Sequence, residues 1–148
     1  MIKPSPLSNL FNDSHFESYP LVEIPQIYLD DRGVISNIAD GQLGDVAFIT
    51  CTRLAVRANH VHQDDWHLTY LVNGEMIYQW LDKSSLDKEE EIRIAPGQLF
   101  YTPPATPHKM TFLRDSSFIA ISGLNRDRVS YESDTKRLPK EFFSNVQL

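Results

Sequence analysis

From Leu21 onward the chain is written in short apolar or alternating runs, each closed by a turn signal. Residues 21–29 read as a strand interrupted by Pro25, which suits a sheet edge because proline cannot donate to a ladder. Asp30-Asp31-Arg32-Gly33 is a turn, and residues 34–38 return from it. Residues 45–56, rich in β-branched and apolar side chains, form the next predicted strand. Residues 57–62 and 66–73 make a hairpin around the polar turn Gln63-Asp64-Asp65, stopped by Asn73-Gly74. Residues 75–81 continue the meander with Met76, Tyr78 and Trp80 on one face. The charged stretch 83–91, with Glu89-Glu90-Glu91, reads as a solvated connection. Residues 91–95, 98–102, 109–114 and 118–122 are four more short strands. No long helix-period segment interrupts them, although residues 139–148 carry the signature of a short helical turn. Nine or so strands with little helix predict an all-β double-sheet jelly roll.

The 148 residues suit one domain, organised as an N-terminal arm over 1–20, a β-domain over 21–124 and a charged tail over 125–148 packed on it. Alternation sets Trp66, Tyr70 and Val72 on one outer face, and an apolar face of that kind needs cover, so a homodimer is expected.

Composition narrows the function only by exclusion. A hydrophobic content of 41% and a charged content of 23% are ordinary for a globular protein. The net charge of −6 argues against a nucleic-acid surface. No apolar run has the length of a membrane span, and the N-terminal residues lack a signal-peptide core, so a cytoplasmic location is expected. Cys51 is the single cysteine and reads as a small apolar strand residue.

The chemistry sits in the histidines. His60 and His62 share one strand face, and the hairpin brings His67 back beside them. His108 opens a later strand, aimed by the rigid corner Pro103-Pro104-Ala105-Thr106-Pro107. Burying four imidazoles together without a shared partner is costly, so the four are assigned as ligands of one divalent metal. Imidazole alone does not choose among zinc, iron, nickel and manganese. His15 lies in the arm and reads as a locally hydrogen-bonded residue. Arg57 and Lys109 are candidates for binding an anionic substrate, and Tyr101 is a candidate proton donor at the cavity mouth. Asp64 and Asp65 read as turn residues.

The string His60-x-His62-x4-His67-x6-Gly74, followed by Pro96-Gly97-x10-His108, resembles the two motifs of the cupin superfamily across residues 55–112. His67 stands where most cupins have Glu. The resemblance implies the cupin double-stranded β-helix and a metal site in its cavity. Asp31-Arg32-Gly33, the Arg57-Ala-Asn-His-x-His run and the tail Asn125-Arg-Asp-Arg-x-x-Tyr-Glu-x-Asp134 further resemble small cupins related to dTDP-4-keto-6-deoxyhexose epimerases and ketoisomerases. That likeness implies an isomerase or epimerase acting on a sugar or nucleotide sugar by metal-assisted proton transfer beside a carbonyl. An iron-dependent dioxygenase and a non-catalytic small-molecule-binding cupin stand as alternatives.

Overall fold

The computed structural model describes residues 11–148; the first half of the expected arm, with Pro4 and Pro6, lies outside them. Twelve strands follow in chain order: β1 (Leu21–Val22), β2 (Gln26–Asp30), β3 (Gly33–Ser36), β4 (Asp45–Cys51), β5 (Val56–His62), β6 (His67–Asn73), β7 (Met76–Asp82), β8 (Lys88–Ile94), β9 (Leu99–Thr102), β10 (His108–Phe112), β11 (Ser116–Ser122) and β12 (Thr135–Arg137). One short helix, α1 (Arg128–Asp134), precedes the last strand. The strands build two five-stranded antiparallel sheets, ordered β1-β9-β6-β11-β4 and β12-β5-β10-β7-β8, and the separate hairpin β2-β3. The expected jelly roll is the observed fold.

Alternation decides what fills the space between the sheets. Leu71, Phe100 and Phe118 from one sheet meet Met76, Tyr78, Ile94 and Phe112 from the other, all essentially solvent-free. Phe112 and Phe118 stack at 5.5 Å between centroids, and Tyr78 lies 4.6 Å from Phe100. These aromatics close one end of the sandwich. Opposite that end, the inward positions are histidines.

The outer faces are covered by the chain's own ends. Phe11, Phe16 and Val22 pack with Trp66, Leu68, Leu99, Tyr101 and Ile121 into a second apolar cluster on the back of the first sheet. Trp66 is therefore buried within its own chain, which removes it from the face expected to need a partner; Val72 alone of the three stays exposed. The arm starts with a 3-10 turn at Asp13–Phe16, capped by Asn12, whose amide donates to His15 Nδ1 at 3.0 Å. His15 is thus the locally bonded histidine that its position predicts.

The tail differs from expectation in detail. Its helix lies at Arg128–Asp134, where Asp127 accepts from the Ser130 amide as an N-cap, and residues 139–148 are non-helical. They run over the back of the second sheet, where Phe143 is buried and the Ser144 carbonyl accepts from Gln79 Nε2 at 3.0 Å. The supposed solvated run at Glu89–Glu91 is part of β8, and Glu89 takes two hydrogen bonds from Ser144. Among the described residues no helix is long and apolar enough to cross a membrane.

If the arm completes a core rather than resting on a finished barrel, Phe16→Ala should cost about 3–5 kcal/mol, the usual loss for a buried phenylalanine. Urea unfolding of the two proteins measures it; a loss under about 1 kcal/mol, the size of a surface change, would show the arm to be dispensable.

Candidate functional site

Both sheets contribute histidines: β5 and β10 are neighbours in one sheet, and β6 faces them from the other, so the expected 57–62/66–73 hairpin is not formed. β10 pairs with β5 so that His108 lies opposite His60, and the register slips at the next pair, where Lys109 faces Ala58. Asn59 is the extra residue of this bulge. Ala58 and Asn59 both adopt positive φ (62° and 56°), and the Asn59 side chain donates to the carbonyls of Leu138 and Pro139. Bulges re-aim side chains, and here one stands directly before the first histidine.

The ring centroids of His60 and His62 are 4.4 Å apart, and those of His60 and His108 are 4.8 Å apart. One ligand nitrogen from each of these three residues lies within 4.8 Å of the others. His67 stands beside them, 4.5 Å from His62 by centroid, but its Nε2 is 3.0 Å from Asp65 Oδ2.

Hydrogen bonds assign the tautomers. The Thr106 carbonyl, 2.9 Å from His108 Nδ1, can only accept, so Nδ1 carries the proton and Nε2 keeps its lone pair. Thr135 Oγ1 spends its proton on the Tyr131 carbonyl and so accepts from His62 Nδ1 at 3.2 Å. His62 Nε2 is then a buried acceptor without a protein partner. An orphaned lone pair beside two further imidazoles is a donor set that fits a transition metal, with the backing contacts that orient metal-bound histidines. His60, His62 and His108 are the residues that would hold it.

Burial sets the charge of this cluster. Desolvation first, and then the neighbouring imidazoles, push His60 down to about 2, His62 to about 4 and His108 to about 3, so all three are neutral at pH 7. The Asp65 pKa is lowered too, which leaves this group charged. Burial alone would raise its pKa, but the His67 hydrogen bond and charge and the Leu124 amide together lower it. It is ionised, with Oδ1 accepting from the Gly123 and Leu124 amides at 3.0 and 2.9 Å. His67 therefore donates from Nε2 and keeps its Nδ1 lone pair. Asp65 is more than the turn residue its sequence position implied.

His60, His67 and His108 border a cavity of about 280 Å³, also lined by Arg57, Arg126, Arg137, Tyr131 and Met110; His62 lies buried behind them. Arg57 is placed there as expected, with Nε 2.9 Å from Cys51 Sγ. Two other candidates are not. Tyr101 lies on the outer face of β9 against Phe16, at 5.5 Å between rings, because Thr102 takes the inward position beside Tyr78. Burial raises its hydroxyl to about 12. Lys109, one residue past the inward His108, points out of the cavity and rests over the Phe143 ring at 5.9 Å.

Residues that the sequence reading missed come from the tail. β12 pairs with β5 at His60 and His62, Tyr131 sits 5.4 Å from His62 by ring centroid, and Asp134 Oδ2 lies 3.6 Å from His62 Nδ1. Asp134 also accepts from the amides of Asp64 and Asp65. Arg126 Nε stands 3.4 Å from Asp45 Oδ2. The available signal was the Asn125–Asp134 string itself, whose helix, Arg128–Asp134, is too short to show periodicity.

Comparison with known proteins agrees with this architecture. Residues 55–122 match the cupin domain family. No curated protein sequence matches it. Among solved structures it is similar to dTDP-4-dehydrorhamnose 3,5-epimerase from Sulfolobus tokodaii, at 14% identity over 84% of this chain and 77% of that one, with a TM-score of 0.64. It is likewise similar to the sugar 3,4-ketoisomerase QdtA from Thermoanaerobacterium thermosaccharolyticum in complex with TDP, at 19% identity over 84% and 92% of the two chains, with a TM-score of 0.63. The capsular polysaccharide assembling protein CapF from Staphylococcus aureus matches at 21% identity and a TM-score of 0.57, over 82% of this chain but only 35% of its own length. Identities this low establish the shared fold.

The buried neutral histidines make the metal-free protein acid-sensitive. Their folded pKa values lie below the ordinary 6.5, so between 6.5 and about 4 the unfolded chain binds more protons than the folded one. Stability must then fall as pH drops through that window. Each pKa unit is worth about 1.4 kcal/mol per group, so a loss of at least about 2 kcal/mol is expected between pH 7 and pH 5. Urea midpoints of chelator-treated protein at the two values measure it; equal midpoints would contradict the neutral, buried cluster.

Proposed function

We propose that the protein holds one divalent transition metal through His60, His62 and His108, and isomerises or epimerises a sugar or nucleotide sugar by moving a proton beside its carbonyl. The observation that carries this reading is the meeting of two chemistries at one cavity: a neutral imidazole trio with an orphaned acceptor, and a fourth imidazole backed by a carboxylate. A bound divalent ion would act as a Lewis acid toward a carbonyl or enediolate oxygen.

The chain's own groups divide the remaining work. Asp65 holds the His67 ring in one tautomer and stabilises its protonated form, so the Nδ1 lone pair is suited to take a proton from the carbon beside the carbonyl. His67, expected from sequence as a fourth ligand, is read here in this role because it lies outside the group of three ligand nitrogens and is backed by a carboxylate. Tyr131 lines the same cavity and is suited to hold or return a proton at the opposite side of a bound sugar. Arg57, Arg126 and Arg137 line the cavity, and guanidinium groups bind phosphate oxygens in pairs. A diphosphate-linked sugar is therefore the substrate class that this lining favours. The fold shared with the dTDP-sugar epimerase and with the TDP-bound ketoisomerase supports the same class.

Elemental analysis of protein purified without a tag is expected to give close to one transition-metal equivalent, and His62→Ala should abolish it. Less than about a tenth of an equivalent, with none taken up on reconstitution, would remove the metal from the reading.

The proton-transfer step has its own test. Incubation with a TDP-4-keto-6-deoxy sugar in D₂O should place deuterium beside the carbonyl. His67→Asn should slow that exchange by roughly 100-fold or more while the metal content stays unchanged. Asp65→Asn should slow it with the metal likewise retained. Stoichiometric O₂ consumption would instead identify a dioxygenase, and tight binding with no exchange a sensor.

A further inference from the structure

The inner face of the first sheet carries a polar position that the reaction above leaves unused. Strand alternation sends Leu68 and Tyr70 to the outer apolar cluster, so His67, Thr69 and Leu71 face the second sheet. Leu71 joins the aromatic end, while His67 and Thr69 line the cavity. Thr69 lies opposite Ala120, which in turn lies opposite Ala47. The next inward row holds Leu71, Phe118 and Ile49. Small side chains in the first row open a hollow beside Thr69, and large ones in the second close it.

As a packing residue, a threonine is out of place there. Its neighbours in the cavity wall are Ile49, Phe118, Ala120 and, from the second sheet, Met110. Valine has the same shape and carries no hydroxyl to desolvate, and a buried hydroxyl without a partner costs free energy. Thr69 is 4% exposed, and among the described residues no group hydrogen-bonds to its hydroxyl. Thr102, inward-facing on the neighbouring β9, shows the contrast: its hydroxyl is 2.8 Å from that of Tyr78.

We infer that Thr69 is a specificity-determining residue, whose hydroxyl hydrogen-bonds a ring hydroxyl of the sugar and so selects that sugar over its deoxy counterpart. The inference rests on the sugar reading above and adds which feature of the ring is recognised. Desolvation makes the selection. A ring that fills the hollow displaces its water, and a deoxy ring would then strand the Thr69 hydroxyl without any partner. Stranding a buried polar group costs more than making its hydrogen bond gains. Sites built around a substrate hydroxyl reject the analogue that lacks it for this reason. Orientation follows from the same contact. His67 and Thr69 stand about 7 Å apart, two residues along one strand face. An imidazole at one carbon and a hydroxyl bond at another fix which face of the ring meets the base.

Thr69→Val, which keeps the shape and removes the hydroxyl, tests this with TDP-4-keto-6-deoxyglucose and its 2-deoxy and 3-deoxy analogues. For the parent sugar the substitution should weaken binding by calorimetry, and lower kcat/KM for deuterium exchange, by roughly 10-fold or more. Thr69→Ser should recover most of the loss. For one of the two analogues, wild type and Thr69→Val should differ by less than about 2-fold, because the hydrogen bond is already missing. Metal content should be unchanged, and the urea midpoint of Thr69→Val should be no lower than that of wild type. A Thr69→Val protein that binds and turns over the parent sugar like wild type would overturn the inference and leave the sugar reading standing. So would an equal loss for the parent and both analogues, which would mark Thr69 as packing alone. Wild-type protein that binds none of the three sugars would overturn reading and inference together.

Discussion

Three imidazole rings share a space from which solvent has been removed, and much of the molecule follows from keeping them neutral and aimed. A charged ring there would meet two others without water to separate them. The protein meets this constraint from behind. The Thr106 carbonyl and Thr135 hydroxyl take the outer protons of His108 and His62, so their lone pairs face inward. The aromatic end of the sandwich, from Tyr78 to Phe118, supplies the rigidity that holds rings at such separations. A softer core would let them drift apart and rehydrate.

His67 shows how one added contact changes a residue's chemistry. It shares the residue type of the trio, but its ring is hydrogen-bonded to the Asp65 carboxylate, whereas His108 and His62 are hydrogen-bonded to neutral oxygens, with the Asp134 carboxylate further off, 3.6 Å from His62. A carboxylate stabilises the protonated ring; a carbonyl or hydroxyl stabilises it far less. The cavity thus holds imidazoles suited to donate a lone pair to a cation and one suited to accept a proton. The His67 contact first, and then the Leu124 amide, keep that carboxylate ionised despite its burial.

What the sequence made legible was local. Period-two spacing placed His60 and His62 on one face, but the expected hairpin does not form: β5 and β6 belong to different sheets, and His67 meets the other histidines across the sandwich. The period-two rule already placed Lys109 outward once His108 faced inward. Tyr101 needed more, since its phase is fixed by pairing with Leu68 across the sheet, a relation between distant segments. Asp65 was opaque for a similar reason: His67 is two residues away, but the amides that hold the carboxylate against it lie nearly sixty residues on. The tail was hardest. A seven-residue helix and a three-residue strand are too short to show periodicity, and their conformation is imposed by β5.

The bulge at Ala58-Asn59 ties these scales together. Two successive non-glycine residues hold positive φ immediately before His60, and the carbonyls that accept from Asn59 belong to Leu138 and Pro139. The recognisable cupin segment ends at residue 122. The unit that shapes the histidine cluster therefore extends beyond the unit that sequence comparison recognises. In inheritance terms, a recombination breakpoint just after Ser122 would transmit all four clustered histidines and leave behind the segment that steadies the strand carrying two of them.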